Sequence, residues 1–208
     1  MTVPSAQGGH AADEVGSAPG SSLDFQLPTV FLIGTAHKFQ RQVKGPHADG
    51  IAQFRILIRD LCLLHNLAAI AEEMNLHALQ EWNVTESVAQ QVCNLLGLWH
   101  QLSDPSPEER FKLGIRKDND IRAEHVSDEW THEQIEADVI ARGSVPSDRI
   151  REQFWLRKIQ DFDAWPLLFI CGANHFTSIA ALLRASQIDV VEVHPDWEPA
   201  ANRGCCDL

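Results

Sequence analysis

The sequence predicts a single-domain α/β fold with a mainly parallel central sheet flanked by helices. Short apolar runs of strand length alternate along the chain with longer stretches in which apolar residues recur every three or four positions. Strands that alternate with helices favour a parallel sheet, because a helix is the usual connection between parallel neighbours. The chain has 208 residues, of which 44% are hydrophobic, so it is long enough to enclose one sizeable core.

Five apolar runs are short enough to be strands, and they lie at 29–33, 67–71, 97–102, 167–171 and 189–194. Amphipathic stretches between them predict helices at 50–66, 85–96, 107–113, 128–142, 147–161 and 177–185, with Thr85 as the N-cap of its helix. Together these elements place one α/β domain at residues 25–197. Residues 1–24 are rich in Gly, Ser, Ala and Pro, so they are predicted to be a flexible tail, and 198–208 are interpreted in the same way.

The overall charge limits the partners that this protein can have. The net charge is −12 at pH 7, which argues against a sequence-independent nucleic-acid binder and against a protein that binds membrane surfaces. No apolar run approaches the roughly 18 residues that span a bilayer, and the N-terminus does not resemble a secretory signal. We therefore expect a cytoplasmic protein with reduced cysteines. The net charge still allows a local basic pocket that binds an anionic ligand.

Two G-x-x-H tetrapeptides, 34–37 and 172–175, each follow an apolar strand directly. Ligands of parallel sheets bind at the carboxyl ends of the strands, so His37 and His175 are predicted to share one site there. A glycine at such a position allows close approach of the backbone to a ligand. We therefore expect Gly34, Gly172 and Asn174 to contact substrate. The alternative is that both histidines only brace their loops.

A pair of carboxylates and one arginine complete the candidate catalytic set. Glu72 and Glu73 end the second predicted strand, and since alternate strand residues face opposite sides, at most one of them points into the site. Such a carboxylate is suited to act as a general base, or to bind a metal beside two imidazoles, for which we take His37, Glu72 and His175. Arg151 begins a helix and is placed to bind an anionic group. The alternative is that the two glutamates and the arginine are ordinary exposed residues with no role in a site.

These segments resemble a known family. The stretches 30–39, 70–74 and 149–193 are similar to the TraB/PrgY/GumN and Tiki-like superfamily, which is distantly related to erythromycin-esterase and ChaN-like proteins. The resemblance implies that His37, His175, one of the two glutamates and Arg151 form the site. It also implies hydrolysis of a peptide or ester bond, with a divalent metal (Mn, Co or Zn) in the metal-dependent members. Residues 76–148 match nothing in that group.

The sequence therefore predicts a hydrolase that acts on a small-molecule or peptide substrate, with or without a metal. The alternative is a non-catalytic module that binds or signals through a small ligand in the same pocket. A third hypothesis is an interaction protein with structural histidines. Six tryptophans are compatible with a homodimer interface, although such residues more often pack in the core. The motifs of zincin proteases, P-loop NTPases, dinucleotide oxidoreductases and α/β-hydrolases are absent from the sequence.

Overall fold

The computed structural model describes residues 28–41, 47–126 and 129–200. These residues form one five-stranded parallel sheet in the order β3-β2-β4-β1-β5, which confirms the predicted α/β fold. Every predicted run contributes to a strand: β1 (Thr29–Thr35), β2 (Ala69–Glu72), β3 (Trp99–Leu102), β4 (Leu167–Gly172) and β5 (Asp189–Trp197). The tail predicted at 1–24, and 201–208 of the tail predicted at 198–208, lie outside the described residues.

The helices of the described residues fill the connections between these strands. They are α1 (His37–Gln40), α2 (Ala48–Leu64), α3 (Leu76–Glu81), α4 (Val88–Leu96), α5 (Pro107–Lys112), α6 (Asp118–Glu124), α7 (His132–Arg142), α8 (Ser144–Phe162) and α9 (Phe176–Ala185). A short 3-10 turn, Ala173–His175, separates β4 from α9.

The sheet lies between two layers of helices. In β1, Phe31 and Ile33 pack with the side chains of α2 and α4, whereas Val30 and Leu32 pack on the opposite face with α8 and α9. This alternation follows from the twofold period of a strand, which sends successive side chains to opposite faces. Both faces are apolar, as expected for parallel strands that are buried on both sides. The α8 side contains the largest fully buried side chain, Trp155.

Three helices, α1, α3 and α6, were not among the predicted elements, and several boundaries differ. The predicted helix at 85–96 begins at Val88, because the Ser87 hydroxyl and not Thr85 caps it by accepting from the Gln90 N–H at 3.0 Å. The helix predicted from 147 begins three residues earlier at Ser144. Pro146 is tolerated there because the N–H groups of a first helical turn have no partner within the helix.

The carboxyl ends of the three central strands are adjacent. In the β1–β4 pairing Thr35 lies opposite Gly172, and in the β2–β4 pairing Glu72 lies opposite Ile170. This arrangement agrees with the expectation that the three polar strand ends share one edge of the sheet. No helix among residues 28–41, 47–126 and 129–200 is long and apolar enough to cross a membrane.

Candidate functional site

One carboxylate oxygen lies between the two histidines of the G-x-x-H motifs. His37 follows β1 at the start of α1, and its Nε2 is 3.7 Å from Glu73 Oε1. His175 ends the 3-10 turn after β4, and its Nε2 is 3.8 Å from the same oxygen. The structure therefore brings His37, Glu73 and His175 together from three neighbouring strand ends.

The two adjacent glutamates point to opposite faces of the sheet. Glu73 continues β2 by one residue, since its N–H donates to the carbonyl of Ile170 at 2.8 Å. Its side chain, 1% exposed, lies on the same side as Arg151 of α8. Glu72 has the opposite orientation and lies on the α4 side. The sequence left open which of the two glutamates faces the histidines. In the structure it is Glu73, because alternate strand residues face opposite sides.

Glu72 belongs to a separate buried cluster. Its Oε1 accepts hydrogen bonds from the Ser87 hydroxyl and from His100 Nε2, the latter at 2.8 Å. Neither His37 nor His175 is a partner of this carboxylate among its described contacts. The predicted metal set of His37, Glu72 and His175 is therefore not brought together, because Glu72 faces away from the histidines.

Arg151 joins the ends of two strands and the face of α8. Its Nη2 forms an ion pair with Glu73 Oε1, and Nη2 and Nε lie 2.9 and 3.1 Å from Oδ1 of Asp104, which follows β3. Burial lowers the pKa of this guanidinium, but the charges of Glu73 and Asp104 outweigh it, so the pKa is raised. Because these carboxylates hold most of its donors, Arg151 positions Glu73 in this structure instead of presenting a free clamp to a ligand.

His175 is held from both of its ring nitrogens. Nδ1 lies 2.9 Å from Glu152 Oε1, and Nε2 lies 3.8 Å from Asp148 Oδ1 and 3.4 Å from Arg151 Nη1. Burial and the nearby Arg151 charge lower the pKa of His175, but the hydrogen bond to Glu152 and the negative charges of Glu73 and Asp148 outweigh them, so the pKa is raised. The surroundings therefore favour the protonated imidazolium.

This raised pKa predicts how the stability depends on pH. The imidazolium of His175 contributes stability that is fully present below the ordinary histidine pKa of about 6.5 and is lost as the pH rises through the higher folded-state value. We expect the free energy of unfolding of wild type to exceed that of His175→Asn by more at about pH 6 than at about pH 9. Urea unfolding of both proteins at the two pH values measures this, and a difference independent of pH would contradict it.

His37 is the accessible member of the site. Its side chain is 42% exposed, whereas those of Glu73 and His175 are 1% and 9% exposed. Its Nδ1 is buried and has no hydrogen-bond partner in the described part of the chain. The Nε2 atom faces Glu73, so this imidazole connects the buried carboxylate with the surface.

The predicted substrate-contacting residues have different roles. Gly34 is not in a turn but inside β1, where a Cβ would lie 2.0 Å from the carbonyl oxygen of Pro195, so it is required for close packing against β5. Gly172 lies in the site, because its N–H donates to Glu73 Oε2 at 2.7 Å and a Cβ there would lie 3.6 Å from His37 Nε2. Asn174 is exposed in the 3-10 turn.

The described residues contain no group of three or more His, Cys, Asp or Glu side chains arranged to hold a metal ion. His37, Glu73 and His175 are the nearest candidates, but the Arg151 guanidinium lies on the Glu73 oxygen that faces both histidines. A metal at that oxygen would stand beside a fixed positive charge, which opposes binding. In this conformation these residues do not fit a metal site.

The sequence interpretation missed three carboxylates of the site. Asp104 follows β3, so the rule applied to the other strand ends also applies to it. Asp148 and Glu152 lie three positions before and one position after Arg151 on α8, and both contact His175. Residues spaced by three or four on a helix share one face, which was the signal available for this pair.

No protein-family model, curated protein or solved structure matches this chain. The likeness to the TraB and Tiki-like superfamily therefore stays a hypothesis.

Proposed function

We propose that this protein is a hydrolase of peptide or ester bonds, as the resemblance to the TraB and Tiki-like superfamily implies. The observation that supports the proposal best is that two imidazoles, one accessible and one buried, approach the same oxygen of Glu73 at 3.7 and 3.8 Å. Both separations are longer than a direct hydrogen bond, so the imidazoles lie beside this carboxylate without bonding to it.

The reaction needs no metal in this scheme. His37 Nε2 removes a proton from a water molecule that Glu73 Oε1 orients, and the oxygen of that water bonds to the substrate carbonyl carbon. When the tetrahedral intermediate breaks the bond to its leaving group, the imidazolium of His175 donates a proton to that group. Glu152, which lies 2.9 Å from His175 Nδ1, orients the imidazolium and favours its charged form.

Arg151 acts through Glu73 in this scheme. Its guanidinium and the N–H of Gly172 hold the two oxygens of that carboxylate, so that Oε1 keeps its place between the histidines. The sequence placed Arg151 to bind an anionic group, but that role would require donors that Asp104 and Glu73 already hold.

The adjacent glutamates provide a matched test. We expect Glu73→Gln to lower kcat by about 10²-fold, because a small misplacement of a reacting group has that effect. Glu72→Gln removes an equally buried carboxylate from the other face and is expected to keep the kcat of wild type. Hydrolysis of a panel of p-nitrophenyl esters and short peptides measures this, with circular dichroism as a control for folding. Equal losses in both variants would contradict the assignment of Glu73.

The second candidate function is a module that binds a small ligand in the same pocket. The observation that favours it is that the buried carboxylates of Glu73 and Asp104 already hold the Arg151 guanidinium, so Arg151 is not free to stabilise a reaction intermediate. A wild-type protein that hydrolyses no member of the panel would favour this candidate over the hydrolase.

The metal requires a separate measurement. Mass spectrometry measures whether Mn, Co or Zn is bound. It is applied to wild type, His37→Ala and His175→Ala, each purified without chelator. Loss of bound metal in both variants would support a site that reorganises around the histidines, whereas metal retained in both would exclude it.

The cytoplasmic location and the homodimer also stay predictions.

A further inference from the structure

A cleft opens beside the site, between the start of α6 and the first turns of α8. Its volume is about 340 Å³, and its wall includes two residues of the site, Asp148 and Arg151. Both of these residues approach His175 Nε2, at 3.8 and 3.4 Å. The cleft therefore adjoins the proposed catalytic centre through these two residues.

Basic side chains line much of this cleft in an acidic protein. The chain has 17 Lys and Arg residues against 29 Asp and Glu. Five of the cations line this one cleft, together with only two carboxylates, Asp118 and Asp148. The five cations are Arg110, Arg116, Lys117, Arg122 and Arg151. Each of the four arginines is paired with a carboxylate, so their charges do not add up to a net positive charge.

The arginines of the cleft are held in place, whereas its lysine is not. Arg110 pairs with Asp104, Arg116 with Glu124 and Arg122 with Glu136, so their guanidinium groups are fixed by carboxylates that do not line the cleft. Lys117 is exposed just before α6 and forms no ion pair among the described residues. Its charge is therefore available to a ligand.

We infer that this cleft binds an anionic group of the substrate, a carboxylate or a phosphate, and so orients the scissile bond toward His37 and His175. Arg110 and Arg116 each give Nη2 to their carboxylate partner and keep Nη1, which has no described partner, for an oxygen of such an anion. Lys117 supplies the charge that no carboxylate within the described residues compensates. This inference rests on the proposed function, because the bound anion is part of a substrate only if the protein is a hydrolase. Binding of the anion itself requires no turnover.

Isothermal titration calorimetry with inorganic phosphate and, separately, with succinate tests this inference at low ionic strength. We expect wild type to bind at least one of the two anions, and the comparison identifies which chemistry the cleft prefers. Lys117→Glu is expected to weaken that binding about tenfold or more, because it replaces an attractive charge by a repulsive one. Asp148→Asn is expected to tighten it, since it removes a negative charge from the wall. Added salt is expected to weaken it in wild type.

The matched control is Lys158→Glu, which reverses a charge on α8 outside the cleft and is expected to leave the affinity unchanged. Failure of wild type to bind either anion would overturn the inference. Equal affinities in wild type, Lys117→Glu and Asp148→Asn would also overturn it. If Lys117→Glu does not fold, Lys117→Gln replaces it and is expected to weaken anion binding. Asp148→Asn, which is expected to tighten it, provides the second test. A protein that binds an anion but hydrolyses nothing would refute the proposed function alone.

Discussion

Replacing Arg151 by methionine is expected to lower the free energy of unfolding by about 3–5 kcal/mol. The Arg151 side chain is 14% exposed, and its ion-pair partners Glu73 and Asp104 are 1% and 5% exposed. Methionine has a similar length but no charge, so Glu73 would remain buried without its counter-charge, while Asp104 would keep only Arg110. An uncompensated buried charge is among the few causes of such a large effect. Urea unfolding followed by tryptophan fluorescence measures the change.

The control for this prediction is Arg149→Met, which makes the same exchange two residues earlier on α8 at an exposed position. We expect it to change the stability by no more than about 0.5 kcal/mol, as surface substitutions usually do. Adding Glu73→Gln to Arg151→Met should restore part of the loss, because it removes one of the stranded charges. A loss in Arg151→Met no greater than in Arg149→Met would show that the buried charge network does not stabilise the fold.

Replacing His37 by asparagine is expected to lower kcat by about 10²–10⁴-fold, the usual contribution of a positioned general base. Asparagine keeps a polar group at the start of α1 but has no basic nitrogen to take the proton from water. His37 is 42% exposed and forms no close hydrogen bond with Glu73, from which it lies 3.7 Å away. The stability should therefore change little while turnover falls. The measurement is kcat on the best substrate of the ester and peptide panel.

His47→Asn is the matched control, since His47 is an exposed histidine that precedes α2 without capping it through its side chain. We expect this variant to retain the kcat of wild type. If His37→Asn also retains it, His37 is not the base, and the site would act through another group or only bind its ligand. A large rise in KM alone, with kcat unchanged, would show a role in binding and would also argue against the proposed chemistry.

Much of the fold follows from local patterns in the sequence. The runs TVFLI and LLFIC are apolar at every position, which indicates strands buried on both faces and hence a parallel sheet between helices. The helix starts were predicted less well. Thr85 and Ser87 both have the hydroxyl of an N-cap, and only the position of Ser87 beside Glu72 and the Gln90 N–H selects it.

The site divides in the same way. The sequence by itself determined that His37, a glutamate and His175 follow strands of one parallel sheet, and the shared direction of those strands places their ends on one edge. Only the tertiary structure decided which glutamate faces the histidines. That choice depends on which helices cover each face of the sheet: Glu73 points to α8, which carries Arg151, and Glu72 points to α4 and Ser87.

The same reasoning explains why Arg151, which the sequence placed to bind an anionic group, instead positions Glu73 in the structure. Its place at the start of an amphipathic helix is visible in the sequence, but its partners come from the ends of β2 and β3, 78 and 47 residues away. Contacts at such separations depend on the strand order β3-β2-β4-β1-β5, which no local pattern encodes. The sequence thus determined the chemical groups and the edge at which they meet, whereas the packing of α8 against that edge decided which charges pair and which imidazole stays accessible.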